Sequence, residues 1–268
     1  MWKLLLVPLV LYLAVLAALW LFQGRMVFPA HLAQGEGPSP PGSERLVVEA
    51  PDGVRLHGLL IPARGGGRSP DRPLILGFGG NAWNADAVAV TLAQLFPDHD
   101  VAAFHYRGYA PSGGTPGARA ILADALLLHD EIVRRTGARR VVAVGFSLGT
   151  GVAARLAAER PIAGAILVTP YDSLAGVAAQ HYPWMPVRLL FRHEMPAAQD
   201  LARTRVPVAL IGAERDALIL PERTEALRRR TANLVYYRIV PDADHNDIYE
   251  REDFRTAMHE ALARMTAR

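Results

Sequence analysis

Arg140-Val141-Val142-Ala143-Val144-Gly145-Phe146-Ser147-Leu148-Gly149-Thr150-Gly151 is the stretch from which the architecture of this 268-residue chain follows. Its first five residues read as a buried strand, and Leu148 to Glu159 reads as an Ala-rich helix that ends before Pro161. Between them Gly145 and Gly149 flank Ser147 in a G-x-S-x-G turn. Two glycines are needed where a strand turns sharply into a helix, because neighbouring backbones approach too closely for side chains. The turn lifts the serine hydroxyl to the carboxyl edge of a sheet. The helix start adds N–H donors and a positive dipole end beside it. Ser147 is therefore the candidate nucleophile.

A serine hydroxyl is weakly nucleophilic at neutral pH, so the reading requires a histidine base and an acid to orient it. In enzymes with this elbow the acid and then the histidine follow the serine, each on a loop at a strand's carboxyl end. Downstream lie His181, His193, His245 and His259. His245 is the best base: it sits in the turn-rich Val240-Pro241-Asp242-Ala243-Asp244-His245-Asn246-Asp247, after a strand spanning Leu234 to Val240. His259 falls within the last helix, where a structural role is expected, and His181 and His193 lie in an irregular segment. For the acid, Val206 to Gly212 reads as a strand followed by Ala213-Glu214-Arg215-Asp216. Asp216 is the choice, with Glu214 as the neighbour that could substitute.

An oxyanion hole needs a second donor from the loop after an earlier strand. Gly77-Phe78-Gly79-Gly80-Asn81-Ala82-Trp83-Asn84 follows the strand Pro73 to Leu76 and nominates the backbone amides of Asn81 and Leu148. The same loop offers a rival reading, because Gly77-x-Gly79-x-x-Ala82 matches a dinucleotide fingerprint with Asp98 or Asp100 at about the expected spacing of ~20 residues. That alternative leaves Ser147, Asp216 and His245 unexplained. Asp242-x-Asp244-x-Asn246 begins like a calcium loop but has Asp247 at the position of the invariant glycine and Asp253 instead of a closing Glu. No metal and no organic cofactor is expected.

These segments resemble the α/β-hydrolase superfamily, and within it the membrane-anchored, Bem46-like or ABHD-type serine hydrolases. The resemblance covers Leu46 to Met265. It rests on Gly80-Asn81-Ala82, Tyr106-Arg107-Gly108-Tyr109 with Ser112 and Gly114, the Gly145-to-Gly149 elbow, Gly212-to-Asp216 and His245-Asn246-Asp247. It implies a mostly parallel sheet flanked by helices on both faces, a short lid insertion and a serine-type hydrolase. Two departures stand out. Gly79 occupies the position where the family carries a histidine that helps fix the oxyanion loop, and Ala110 replaces a glycine common after Tyr109.

The alternation of strands and helices from Leu46 onward itself argues for an α/β sheet covered on both sides, and no internal repeat is visible. Residues 1–24 are read as a transmembrane anchor, 25–43 as a linker and 44–268 as the hydrolase domain. From Leu4 to Phe22 there is no charge, a helix of roughly 28 Å, about the thickness of a bilayer's hydrocarbon core. Trp2, Trp20 and Phe22 mark its ends as interfacial aromatics do. A cleaved signal peptide is the competitor, but no small-residue cleavage site is evident. Positive-inside counting over Lys3 and Arg25 leans toward a cytoplasmic amino terminus with the domain outside. Gly35 to Ser43 is expected to be a spacer that lets the domain stand off the membrane. Glu44 then begins the domain, with a hairpin of Leu46–Ala50 and Val54–Ile61 about Pro51-Asp52-Gly53, and a surface loop spans Ala63 to Arg72.

The 29 basic and 26 acidic residues leave a net charge of +3, scattered as a solvated surface is. No nucleic-acid site is expected. The basic run Arg228-Arg229-Arg230 suits a helix C-terminus and could also meet anionic headgroups. The absence of cysteine excludes disulfides without indicating a compartment. Substrate preference is expected in a lid at about 171–200, where Tyr171, Tyr182, Pro183, Trp184, Met185 and Phe191 suit an acyl or lipid-like ester, or else simply cover the core. An acyltransferase sharing the triad and a catalytically silent scaffold are the other classes in view.

Overall fold

The computed structural model describes residues 2–33, 35–65 and 72–266. Most of the expected loop at 63–72 (residues 66–71) and residues 267–268 at the end of the expected domain lie outside the described residues. After an N-terminal helix α1 (Trp2–Val27), the chain forms the hairpin β1 (Glu44–Glu49) and β2 (Arg55–Ile61). There follow β3 (Leu74–Phe78), α2 (Ala85–Leu95), β4 (Val101–Phe104), α3 (Ala118–Thr136), β5 (Val141–Phe146), α4 (Leu148–Glu159) and β6 (Gly164–Val168). Three short helices, α5 (Leu174–His181), α6 (Val187–Leu190) and α7 (Ala197–Arg203), then lead to β7 (Val208–Ala213), α8 (Pro221–Arg230), β8 (Leu234–Val240) and α9 (Glu252–Thr266).

The described strands form one eight-stranded sheet in the order β1-β2-β4-β3-β5-β6-β7-β8. β1 and β2 are antiparallel to their neighbours, and the run from β4 to β8 is parallel. Side-chain alternation sorts two cores. Val141 and Ala143 of β5 pack with Ala125 and Leu128 of α3 and with Val152 and Leu156 of α4. Val142, Val144 and Phe146 pack on the opposite face with Val88 and Leu92 of α2 and with Phe254 and Met258 of α9. Strands buried on both faces must read as continuous apolar runs, which is why β3, β5, β6 and β7 do.

The connections from β3 run outward through α2 to β4 and then back through α3 to β5, so strand order reverses beside β3 and β5. A crevice opens at the carboxyl ends of the strands at such a reversal. Ser147 and the loop after β3 both lie there.

Two sequence expectations change. α1 runs three residues beyond the expected anchor end at residue 24. The segment at 25–43 is no free spacer either: Phe28 and Ala33 are buried in the core, and the Asp86 carboxylate accepts from the Gly37 amide at 2.8 Å and pairs with Arg45. The Asn84 side-chain amide donates to the Gly35 carbonyl at 2.9 Å. The segment is strapped down because Asp86, in the first turn of α2, is buried and needs partners. Among the described residues α1 is the one helix long and apolar enough to cross a membrane.

Candidate active site

Ser147 sits between β5 and α4 with φ 49° and ψ −115°, a conformation rare for a residue with a side chain. Its amide donates to the Val168 carbonyl at 2.9 Å, which tethers the turn to β6. The flanking glycines are required by space. A Cβ on Gly149 would collide with the Phe78 carbonyl, and one on Gly145 with the backbone of Gly149.

The structure brings Ser147, Asp216 and His245 together. His245 Nε2 lies 3.0 Å from Ser147 Oγ, and its Nδ1 lies 2.8 Å from Asp216 Oδ2. Asp216 Oδ1 accepts from the amides of Leu218 at 2.9 Å and Ile219 at 2.7 Å, so both carboxylate oxygens are held. Asp216 is 3% exposed and His245 7%. With Nδ1 donating to the carboxylate, Nε2 is the nitrogen able to accept the serine proton. The pair therefore stands ready for general-base chemistry at one hydroxyl.

The other candidates are engaged elsewhere. The His259 ring packs edge-on against Phe96, and the His193 ring against Phe28. His181 Nε2 lies 2.9 Å from the Leu218 carbonyl and borders the cavity without reaching the serine. Glu214 accepts from the Asp242 amide at 2.8 Å and Arg215 pairs with Asp242, so that strand end is braced by solvated charges. The calcium-like carboxylates serve their own turn: Asp244 accepts from the amides of Asn246 and Asp247, and Asp247 from that of Asp244. The dinucleotide reading fails on geometry. Gly77 lies inside β3, where its missing Cβ admits Leu92. Asp98 and Asp100 precede β4, at the sheet edge opposite the glycine loop. An acidic residue that binds a ribose must stand at the carboxyl edge.

Asn81 and Leu148 line the same cavity as Ser147. The loop bearing Asn81 is fixed by residues whose part sequence reasoning missed. The Tyr106 hydroxyl donates to the Gly79 carbonyl and the Tyr109 hydroxyl to the Asn81 carbonyl, both at 2.8 Å. Burial pushes both phenols upward, so both remain protonated donors. These bonds tie the loop down with Gly79 at the position where the family carries a histidine. A Cβ there would stand 3.0 Å from Val88 and 3.3 Å from the Trp83 carbonyl, so this loop is shaped around glycine. The spacing of Tyr106 and Tyr109 is visible in the sequence, but which carbonyls they reach depends on β3 and β4 being neighbours.

The cavity above Ser147 measures about 480 Å³. Tyr171, read as a lid residue, is fully buried beneath it, with its hydroxyl 3.1 Å from the Leu148 carbonyl. Tyr182, Met185 and Phe191 border the cavity, whereas Trp184 is half exposed outside it. One wall went unread in the sequence: Leu19, Gln23 and Met26 of α1. Its only signal was Gln23, the polar residue at the end of an apolar run.

The family described as the alpha/beta hydrolase fold matches residues 74–194. An uncharacterized protein of Mycobacterium tuberculosis H37Rv is 33% identical over 242 residues, covering 87% of this chain and 84% of that one. The lysophosphatidylserine lipase ABHD12 of Bos taurus is 34% identical over 133 residues, 47% of this chain and 32% of its own length. The solved esterase Pf2001 of Pyrococcus furiosus superposes with a TM-score of 0.68 at 18% identity, covering 87% of this chain and 96% of that one. A membrane phospholipase A, a bacterial virulence factor, superposes with a TM-score of 0.64 at 16% identity over 98% and 99% of the two chains. The chain belongs to the α/β-hydrolase superfamily. The two solved structures, at 18% and 16% identity, share its fold.

Proposed function

We propose that this chain is a membrane-anchored serine hydrolase that cleaves a carboxylic ester of an acyl or lipid-like substrate through an acyl-enzyme. The carrying observation is the unbroken chain of hydrogen bonds from Asp216 through His245 to Ser147 Oγ beneath an apolar cavity. His245 takes the serine proton as Oγ attacks the carbonyl carbon, and Asp216 holds the imidazolium that forms. The amides of Asn81 and Leu148 receive the oxyanion. The proton returns from His245 to the leaving alcohol, and a water activated by His245 then releases the acid. The cavity's aromatic and aliphatic lining favours an acyl chain, and the lipase activity named for the ABHD12 relative agrees with that class. α1 supplies the anchor, and the Lys3 and Arg25 count favours the domain on the extracytoplasmic side.

The test is fluorophosphonate labelling of the full chain in detergent micelles, beside hydrolysis of nitrophenyl esters of graded length. The full chain is used because α1 forms part of the cavity. Labelling and turnover are expected in the parent and absent in Ser147→Ala. A folded parent that neither labels nor turns over any ester would refute the reading.

A further inference from the structure

The anchor and the lid share an interface inside the segment that has to lie in hydrocarbon. The charge-free run Leu4 to Phe22 is bounded by Lys3 and Gln23, and at 1.5 Å per residue it is about as long as a hydrocarbon core is thick. Yet Leu19 of this run walls the cavity. In the middle of the run, the Tyr12 hydroxyl donates to the Trp184 carbonyl of the lid at 3.1 Å, with the two rings 6.3 Å apart. Further along, Gln23 Nε2 donates to the Leu190 carbonyl at 3.1 Å and its Oε1 accepts from the Arg192 amide at 2.8 Å. Arg192 in turn lies 4.2 Å from the centre of the Trp20 ring. Tyr12, Leu19 and Gln23 fall on one stripe of the helix at spacings of seven and four residues, and that stripe is the lid's docking face.

A bilayer placed on Leu4 to Phe22 must therefore also enclose the lid tip, since the two are bonded at the run's midpoint. The lid is built for that setting. Residues 182–192 contain no acidic side chain, and Pro183 and Pro186 remove two backbone donors. The Trp184 carbonyl is satisfied by Tyr12, as irregular backbone in hydrocarbon requires. Leu189 is 85% exposed and Trp184 50%, a cost in water and none in lipid. The Arg192 guanidinium is held near the end of the run, stacked on the Trp20 ring and donating to the Trp20 carbonyl at 3.0 Å.

We propose that the cavity above Ser147 opens inside the leaflet that holds the second half of α1, between that half and the lid at 182–191. It takes an acyl ester laterally from that leaflet, with Trp184 and Leu189 immersed in the hydrocarbon. This rests on the serine-hydrolase reading for the reaction, and on placement alone for the immersion. The acyl chain slides down the wall formed by Leu19 and Met26 while the ester carbonyl reaches Ser147 at the cavity floor.

The absence of cysteine allows a clean depth measurement. The full chain, in phosphatidylcholine vesicles, would carry an environment-sensitive fluorophore at Leu189→Cys, and in a second sample at Gln94→Cys, on the exposed end of α2 at the opposite sheet edge. The Leu189 label is expected to be quenched by lipids carrying mid-chain nitroxides and shielded from iodide, with the Gln94 label behaving in reverse. In parallel, Leu189→Asp is expected to lower turnover of vesicle-borne nitrophenyl palmitate about tenfold, the order expected from withdrawing one leucine from hydrocarbon. Turnover of water-soluble nitrophenyl acetate is expected to stay within about twofold, since Leu189 touches neither cavity nor triad, and this also certifies the fold. A Leu189 label open to iodide, or equal loss on both esters, would overturn the proposal. A parent inactive on both esters with a shielded Leu189 label would instead sink the hydrolase reading and leave the immersed lid standing.

Discussion

At the scale of residues, the proposed chemistry depends on holding Ser147, His245, Asp216 and the amides of Asn81 and Leu148 in one geometry. Asp216→Asn keeps the shape but favours the wrong imidazole tautomer, and kcat is expected to fall by about 10⁴ with KM little changed, read from steady-state ester hydrolysis. Tyr109→Phe deletes the donor to the Asn81 carbonyl without changing the ring's volume. Leaving that carbonyl unpaired costs about 1–3 kcal/mol. The expected signature is a lowered melting temperature with kcat falling more than KM rises, because the loosened amide serves the transition state; an unchanged kcat would remove Tyr109 from the positioning machinery. Asp216 was legible only as one of two acids just after a strand, and its buried contact with His245 separates it from Glu214, which braces the Asp242 amide instead. Tyr109 was not legible, because a hydroxyl's partner is set by contacts between distant loops.

At the scale of elements, the strand-turn-helix at Ser147 stores backbone strain. Ser147→Gly and Ser147→Ala both abolish the nucleophile, but only glycine accepts φ 49° with ψ −115° freely. Glycine also carries an unfolded-state entropy penalty of about 0.4–1 kcal/mol relative to alanine, and the strain it relieves is on the order of 1–3 kcal/mol. Ser147→Gly is thus expected to be the more stable of the two in urea unfolding. The lid offers a second test. Gln23→Leu retains the apolar wall while removing both hydrogen bonds to the lid, so hydrogen exchange at the Arg192 amide should accelerate. Protection that persisted would show that the lid is held by other contacts. The elbow could be read from a dozen residues because its glycines answer local collisions. The clasp could not, since Gln23 and Arg192 are separated in the chain by six strands, β1 to β6, and meet only in the folded molecule.

At the scale of the whole molecule, the strap after α1 should make stability depend on acid. Burial raises the Asp86 carboxyl, but hydrogen bonds from His105, Arg45 and the Gly37 amide outweigh it and hold the group down at about 2. A pKa below the unfolded value of about 3.9 stabilises the fold above that pH. The contribution is lost as pH falls from about 4 toward 2, when protonation releases the strap. Asp86→Asn should therefore melt lower than the parent at neutral pH, with the gap narrowing as the pH is taken down through that window. A gap independent of pH would assign the residue's effect to packing alone.

The sequence by itself determined the class of fold, the apolar helix and which three polar residues would lie just beyond strand ends, because each is written in local rules: apolar runs of strand and helix length, glycines where backbones collide, polar residues at the turns that follow strands. It read Gly35 to Ser43 as a spacer, since Gly/Pro-rich composition does not record that a buried carboxylate will recruit the Gly37 amide. Only the tertiary structure decided that Tyr106 and Tyr109 brace the loop bearing Asn81, that Tyr171 lies beneath the cavity, and that α1 forms one wall of that cavity. Those are contacts between residues up to 172 positions apart. They arise when strand order brings loop ends to one sheet edge, and no local periodicity carries that information.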